Sequence, residues 1–208
     1  MNKFIISISL VCVVLFAKAQ KMEEVFVKMP EDMIVQLEEA WRKDLVGLYK
    51  EGKTATLENT MQGKSTLHKL TNDYLFLNTS ELNTVELKLL PLVNETYIIC
   101  MIETVYAPVA DSRVCFYTTA WKPLPASELC VSVTEESFLK GDPSELRAFP
   151  GSDLFLVKYV LNAENTTMTA EYTTPQYLDS ESRDKIKPLL KTESIEYKWN
   201  SARFEFSD

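Results

Sequence analysis

The chain has 208 residues, of which 46% are hydrophobic, and this is enough apolar material for a buried core. Its 22 basic and 30 acidic side chains leave a formal net charge of −8. This acidic balance repels phosphate backbones, and no basic cluster with interleaved aromatic residues offsets it, so we expect no nucleic-acid partner.

Residues 1–19 have the three-part order of a secretory signal peptide. Lys3 provides a basic start, residues 4–16 form an apolar or hydroxyl run, and Ala17-Lys18-Ala19 is a small-x-small cleavage site. A buried N-terminal helix is the alternative, and the order of charge, run and cleavage site disfavours it. We therefore expect an exported protein, periplasmic or secreted. No later segment approaches the ~20 apolar residues that span a bilayer, so no transmembrane segment is expected after cleavage.

Residues 29–52 are predicted to form one amphipathic helix. Pro30 followed by acidic residues is typical of a helix start, and Gly52 suits the end. The predicted apolar stripe consists of Ile34, Leu37, Trp41, Leu45 and Leu48, and the predicted solvent side of Glu38, Glu39, Arg42 and Lys43. Because the polar side is mixed in sign, the pattern favours a helix packed on a sheet over one that docks on a membrane.

The strand signals begin with residues 74–77 and 85–89, joined by a turn at 80–83. In the second run Val85, Leu87 and Leu89 alternate with Glu86 and Lys88, which predicts one buried face and one solvent face.

The strongest strand signal lies in residues 97–121. Residues 97–105 are apolar on both alternating faces, 114–117 form a second apolar run, and the stretch between them has turn chemistry. Strands that are apolar on both faces are covered on both sides, so we predict a central hairpin between two layers. Asp111, Ser112 and Arg113 would lie at its tip. They are either an interaction loop, or Asp and Ser make local turn hydrogen bonds while Arg is solvated.

Residues 134–152 are predicted to be a connecting loop with one helical turn, preceded by a weak strand at 129–133. The loop leaves residues 20–208 either as one domain or as two packed halves, 20–140 and 150–208. Further strands are predicted at 154–161, 167–173, 195–199 and around Phe204 and Phe206. A short helical segment is predicted to open at Thr174-Pro175 and to continue through 180–187. The resemblance of 159–175 to 76–91 indicates either an internal repeat or the common form of hairpins. The predicted fold class is α+β: an antiparallel meander of about seven to nine strands with an N-terminal helix on one face and a short C-terminal helix.

Chemistry-bearing residues are sparse. The cysteines left after signal removal are Cys100, Cys115 and Cys130; an odd number cannot pair fully, and we favour free thiols over a cross-strand disulfide. Any Ser–His or Cys–His pair would have to use His68, the single histidine, which is better interpreted as a lone surface residue. No metal-ligand spacing occurs, so neither metal nor cofactor is predicted. Asn78, Asn94 and Asn165 begin Asn-x-Ser/Thr triplets and are interpreted as turn residues.

Three segments carry a family resemblance: VFVKMPEDMIVQLEEAWRKDLV at 25–46, IICMIETVYAPVADSRVCFYTTAW at 98–121, and IEYKWNSARFEF at 195–206. Together they resemble a Bacteroidales family of exported proteins, domain of unknown function 3256. The resemblance implies an envelope or secreted location. It implies no activity, cofactor or partner.

Two classes of function remain. The first is a non-catalytic binding or structural component of the cell envelope that engages another envelope protein. The second is a carrier whose sheet curls around an apolar ligand or lipid; its candidate lining residues are Tyr97, Phe116, Trp121, Tyr159 and Trp199. A carrier needs an enclosed apolar pocket of at least ~300 Å³, whereas an interaction protein needs an exposed apolar patch. A hydrolase is the weakest class because acid–base residues other than carboxylates are scarce.

Overall fold

The computed structural model describes residues 21–142, 144, 149 and 153–207, so the predicted signal peptide lies outside the described residues. The strands form two antiparallel sheets. Sheet A runs in the order β1 to β7, and sheet B in the order β11-β10-β9-β8. The strands of sheet A are β1 Thr56–Glu58, β2 Lys64–Leu70, β3 Tyr74–Asn78, β4 Asn83–Pro91, β5 Tyr97–Tyr106, β6 Ala110–Thr118 and β7 Pro123–Leu124. Those of sheet B are β8 Val157–Leu161, β9 Thr167–Tyr172, β10 Ile195–Trp199 and β11 Phe204–Phe206.

The helices are short. They are α1 Met22–Val27, α2 Glu39–Lys50, α3 Ala126–Leu129, α4 Thr174–Tyr177 and α5 Ser180–Ile186, with 3-10 turns at Glu135–Phe138 and Lys187–Leu189. The α+β class and the meander of hairpins are confirmed. Three details differ: the described residues form eleven strands where about seven to nine are predicted, and the meander is divided between two sheets. The weak strand predicted at 129–133 is instead the end of α3 followed by a single bridge from Cys130 to Phe204.

The single helix predicted from Pro30 is wrong. The chain forms α1 before Pro30, turns through residues 28–38, and begins α2 at Glu39. Three residues of the apolar stripe are fully buried, since Ile34, Leu37 and Leu45 are at most 2% exposed, but the first two reach the core from the turn. Trp41 and Leu48 are half-buried against the same cluster. Apolar residues spaced three and four apart can therefore be buried by a turn followed by a helix, and they do not require one continuous helix.

Sheet A is covered on both faces, which makes three layers. One face packs against α1 and α2 in a cluster that includes Leu75, Leu87, Ile99 and Met101 with Phe26 and Leu45. The other face packs against sheet B in a cluster that includes Ile98, Cys100, Ile102 and Phe116 with Met168, Tyr197 and Phe204. Residues 98–102 of β5 are all at most 5% exposed. The central strand with apolar side chains on both faces is confirmed.

Candidate functional site

The structure moves Asp111, Ser112 and Arg113 away from the predicted hairpin tip. Tyr106 pairs directly with Ala110, so the turn contains only residues 107–109, with a cis peptide bond between Ala107 and Pro108. All three predicted residues lie within β6, so their predicted position at the hairpin tip is wrong, whereas their role in an interaction stays a prediction. The tighter turn arises because pairing continues through the polar residues opposite Thr104 and Val105.

Side chains of sheet A bind the free edge of β8. Alternate N–H groups of an edge strand point away from its neighbour and need another acceptor. Val157 N donates to Asp111 Oδ1 at 3.2 Å, Tyr159 N to Ser112 Oγ at 3.0 Å, and Leu161 N to Glu86 Oε2 at 3.0 Å. We call Glu86, Asp111 and Ser112, with the three N–H groups of β8, the seam. Its side chains accept hydrogen bonds from β8 at the edge where another strand would otherwise pair.

Glu86 is the buried end of the seam. Its side chain is enclosed between the sheets, and the residue is 6% exposed. Tyr74 donates its hydroxyl proton to the same Oε2 atom at 2.9 Å. Burial raises the pKa of Glu86 to about 7, although the bonds from Tyr74 and Leu161 and the charge of Lys158 act in the opposite direction.

Lys88 follows Glu86 by two residues in β4, on the same face of the strand, and is 1% exposed. Its Nζ pairs with Asp73 Oδ2 at 2.8 Å, donates to Ala163 O at 3.1 Å, and lies 5.8 Å from the centre of the Tyr74 ring. The prediction that Glu86 and Lys88 form a solvent face is therefore wrong. Strand alternation separates polar from apolar faces, but it does not reveal that a second sheet covers the polar one.

The histidine and the cysteines noted in the sequence lie apart from the seam. His68 is exposed at a bulge in β2, with its ring stacked 5.3 Å from Phe76, as expected for a lone surface histidine. Cys100 pairs with Phe116, whereas Cys115 pairs with Met101, so the two thiols face opposite sides of sheet A. Both are free, as is Cys130, in agreement with the prediction. Burial raises the pKa of Cys130 to about 11.

Two of the three Asn-x-Thr/Ser triplets form the predicted turns. Asn94 Oδ1 accepts bonds from Thr96 N and Oγ1, and Asn165 Oδ1 accepts the same pair from Thr167. Asn78 is different, since it ends β3 and pairs with Thr66 and Thr84.

Exposed apolar side chains gather where the hairpins of sheet A turn. Five of the eleven exposed large apolar residues in the described part of the chain lie at this end. They are Val35 (54% exposed), Met61 (62%), Leu82 (50%), Val105 (48%) and Tyr106 (37%). We call these five residues the hairpin-end surface. Tyr106 N donates to Leu82 O at 2.8 Å, which holds two of the turns together.

Two adjoining grooves lie along the hairpin-end surface. One of about 500 Å³ is lined by Gly63, Leu82, Val105 and Ala107 among others. The other, about 240 Å³, shares Asn83 and Val105 with it and extends to Val35. The turn containing Met61 lies beside Gly63. No sequence pattern marks this surface, because its members come from four separate segments of the chain.

The aromatic residues considered for a carrier are mostly engaged in packing. Phe116, Trp121 and Trp199 are at most 7% exposed. The indole N–H of Trp121 donates to Val25 O at 3.0 Å, which attaches α1, and that of Trp199 donates to Pro91 O at 2.6 Å, which attaches sheet B. A groove of about 540 Å³ near the start of β10 is lined mainly by hydroxyl and charged side chains.

The chemistry of the described residues is that of packing and cross-sheet hydrogen bonding. Within residues 21–142 and 153–207, no group of three or more His, Cys, Asp or Glu side chains is placed to hold a metal ion. None of the described helices has the length and hydropathy needed to cross a membrane.

Comparisons with known proteins agree with the fold. A family model described as protein of unknown function, DUF3256, matches residues 14–204. A search of curated proteins gives no significant match. Among solved structures, the chain is similar to a domain of an uncharacterized protein from Porphyromonas gingivalis W83, with 28% identity and a TM-score of 0.78. That similarity covers 89% of this chain and 98% of the other, so it extends across both sheets.

Proposed function

The chain belongs to the DUF3256 family of proteins of unknown function, and we propose that it is a non-catalytic binding component of the bacterial cell envelope. Its first 19 residues have the order of a signal peptide, which supports export to the periplasm or beyond. The bound partner in this proposal is another envelope protein.

The hairpin-end surface is the observation that carries the proposal. Apolar side chains scattered singly over a surface need no explanation, but contiguous ones mark interaction sites. Here Leu82 and Val105 line one groove, and Val35 and Val105 line the next, so these three exposed residues form one continuous area.

The charges around the surface favour a protein over a lipid membrane. Asp32, Glu81 and Glu103 line the two grooves together with Lys64. Arg113 neutralises Glu103, which leaves a slight acidic excess. Such a rim repels anionic lipid headgroups, whereas an apolar centre with a mixed polar rim is the usual anatomy of a protein–protein interface.

The interior supports a binding role over a catalytic one. The buried ionisable side chains Glu86 and Lys88 are each engaged by two hydrogen-bonding or ionic partners. They hold the sheets together and are enclosed between them.

Site-specific photo-crosslinking in the native cell envelope tests the proposal. A photoreactive amino acid at Leu82 is expected to capture one recurrent envelope protein, and Val105→Asp in the same chain is expected to abolish that capture. The matched control is Val93, which is 86% exposed in the β4–β5 turn at the opposite end of sheet A and is expected to capture nothing recurrent.

Other outcomes would contradict the proposal. Equal capture at Leu82 and Val93 would show non-specific contact, and a cross-linked homodimer would identify a second copy of the chain as the occupant. A lipid or other apolar ligand released by solvent extraction of the purified protein would favour the carrier instead.

A further inference from the structure

One end of the seam depends on an ionisable group, Glu86, that is almost fully buried. Leu161 N lies 3.0 Å from Glu86 Oε2, and the Tyr74 hydroxyl lies 2.9 Å from the same atom. Both donors therefore bind one oxygen of the carboxyl group. The residue is 6% exposed, so its charge is separated from solvent by the two sheets it joins.

Charged and titratable groups surround Glu86 on several elements. Tyr74 of β3 donates to it, and Lys88 of β4 is already paired with Asp73. Lys158 of β8 acts on Glu86 through its charge, and Glu86 in turn acts on Cys100 of β5. Asp111 of β6 lies further along the seam, where it accepts from Val157. Lys158 also lies 5.6 Å from the ring centre of Tyr106, so part of its attraction is directed to that ring.

We propose that Glu86 is a pH-sensitive latch, which holds the edge strand β8 firmly against sheet A when it is protonated and more weakly when it is ionised. Ionisation places a negative charge in the space between the sheets, and opening the seam returns that charge to water. The free energy of the closed seam, relative to that of the open seam, therefore rises with pH. What is released is the edge of β8, whose N–H groups are then without acceptors from sheet A.

The sign of the pH effect and the pH range over which it occurs follow from the pKa of the carboxyl group in the closed and open seam. In the closed seam the pKa of Glu86 is raised to about 7, against an ordinary value of 4.5 in the open state. The stabilisation is complete below pH 4.5, is lost as the pH rises toward 7, and changes little above it. Between pH 5 and pH 8 the opening equilibrium is expected to rise by roughly 70-fold.

Hydrogen exchange of the mature chain measures this opening residue by residue. Between pH 5 and pH 8 the protection factors of the Leu161 and Tyr159 amides, corrected for intrinsic exchange, are expected to fall by roughly 70-fold. The amide of Met101, within the centre of sheet A, serves as the internal control and is expected to change much less. Glu86→Gln retains the size and an acceptor oxygen but cannot ionise, so its seam amides are expected to show no such pH dependence.

Three results would overturn the latch. They are constant protection of Leu161 in the wild type, the same fall in Glu86→Gln, and an equal fall at Met101. If Glu86→Gln does not fold, titration of the Glu86 side-chain carbon by NMR in the wild type decides the matter. A midpoint near 7 supports the latch, and a midpoint below 5 contradicts it.

Discussion

Arg42 shows how a single side chain can organise a turn that the apolar pattern does not predict. It was assigned to the solvent side of a helix, yet it is 1% exposed. Its guanidinium donates to Leu37 O at 2.7 Å, Val27 O at 3.1 Å and Met29 O at 2.5 Å. These carbonyls belong to the end of α1 and to the following turn, where helix geometry provides no donors. The fork of guanidinium N–H groups supplies them.

Arg42→Met tests this role. The substitution keeps an unbranched apolar stem but leaves three inward-facing carbonyls without donors, so we expect the free energy of unfolding to fall by about 2–4 kcal/mol. Urea denaturation followed by fluorescence measures the change. Lys43→Met is the matched control, because the Lys43 side chain is 59% exposed and pairs with the exposed Glu39, and it should cost less than about 0.5 kcal/mol. Similar losses in both variants would show that Arg42 has no special role.

At the scale of elements, β6 joins the two sheets through polar residues that had suggested a binding loop. Ser112 Oγ accepts from Tyr159 N at 3.0 Å and lies 2.8 Å from Thr104 Oγ1. Arg113, its neighbour, has a side chain that is 72% exposed and contacts Glu103 on the same sheet. Adjacent residues of one strand thus face different environments.

Ser112→Ala and Arg113→Ala should therefore have different effects. We expect Ser112→Ala to cost about 1–2 kcal/mol of unfolding free energy and to increase exchange of the Tyr159 amide, because that N–H loses its acceptor. Arg113→Ala should cost less than about 0.5 kcal/mol, since exposed ion pairs contribute little. Chemical denaturation together with hydrogen exchange distinguishes them. A larger loss for Arg113→Ala would contradict the assignment of the seam.

Whether the surroundings of a strand can be predicted from its sequence depends on what covers its two faces. Residues 98–102 are apolar on both faces, and that pattern has one solution, a strand covered on each side. The alternation around Glu86 and Lys88 has two solutions, solvent or a polar contact with another layer, and local sequence does not distinguish them. The hairpin-end surface was not predictable for a different reason: residues 35, 61, 82 and 105 meet only after three hairpins have formed.

At the scale of the whole molecule, the sandwich makes the two sheets dependent on one another. The cluster between them takes Ile98, Cys100 and Phe116 from sheet A and Tyr197 and Phe204 from sheet B. Each large apolar side chain buried here contributes roughly 1.5–3 kcal/mol relative to exposure. A chain divided between residues 134 and 152 would expose one face of sheet A to water.

This dependence yields a test of whether residues 20–208 are one folding unit or two packed halves. The segment 20–140 contains all of sheet A but none of sheet B. Expressed alone, it should aggregate or bind the dye ANS without a cooperative unfolding transition, because the face carrying Ile98 and Phe116 loses its cover. The chain 20–208 under the same conditions should unfold in one transition, with fluorescence and circular dichroism changing together. A monomeric 20–140 segment with its own cooperative transition would contradict a single unit and favour two halves that fold independently and then dock.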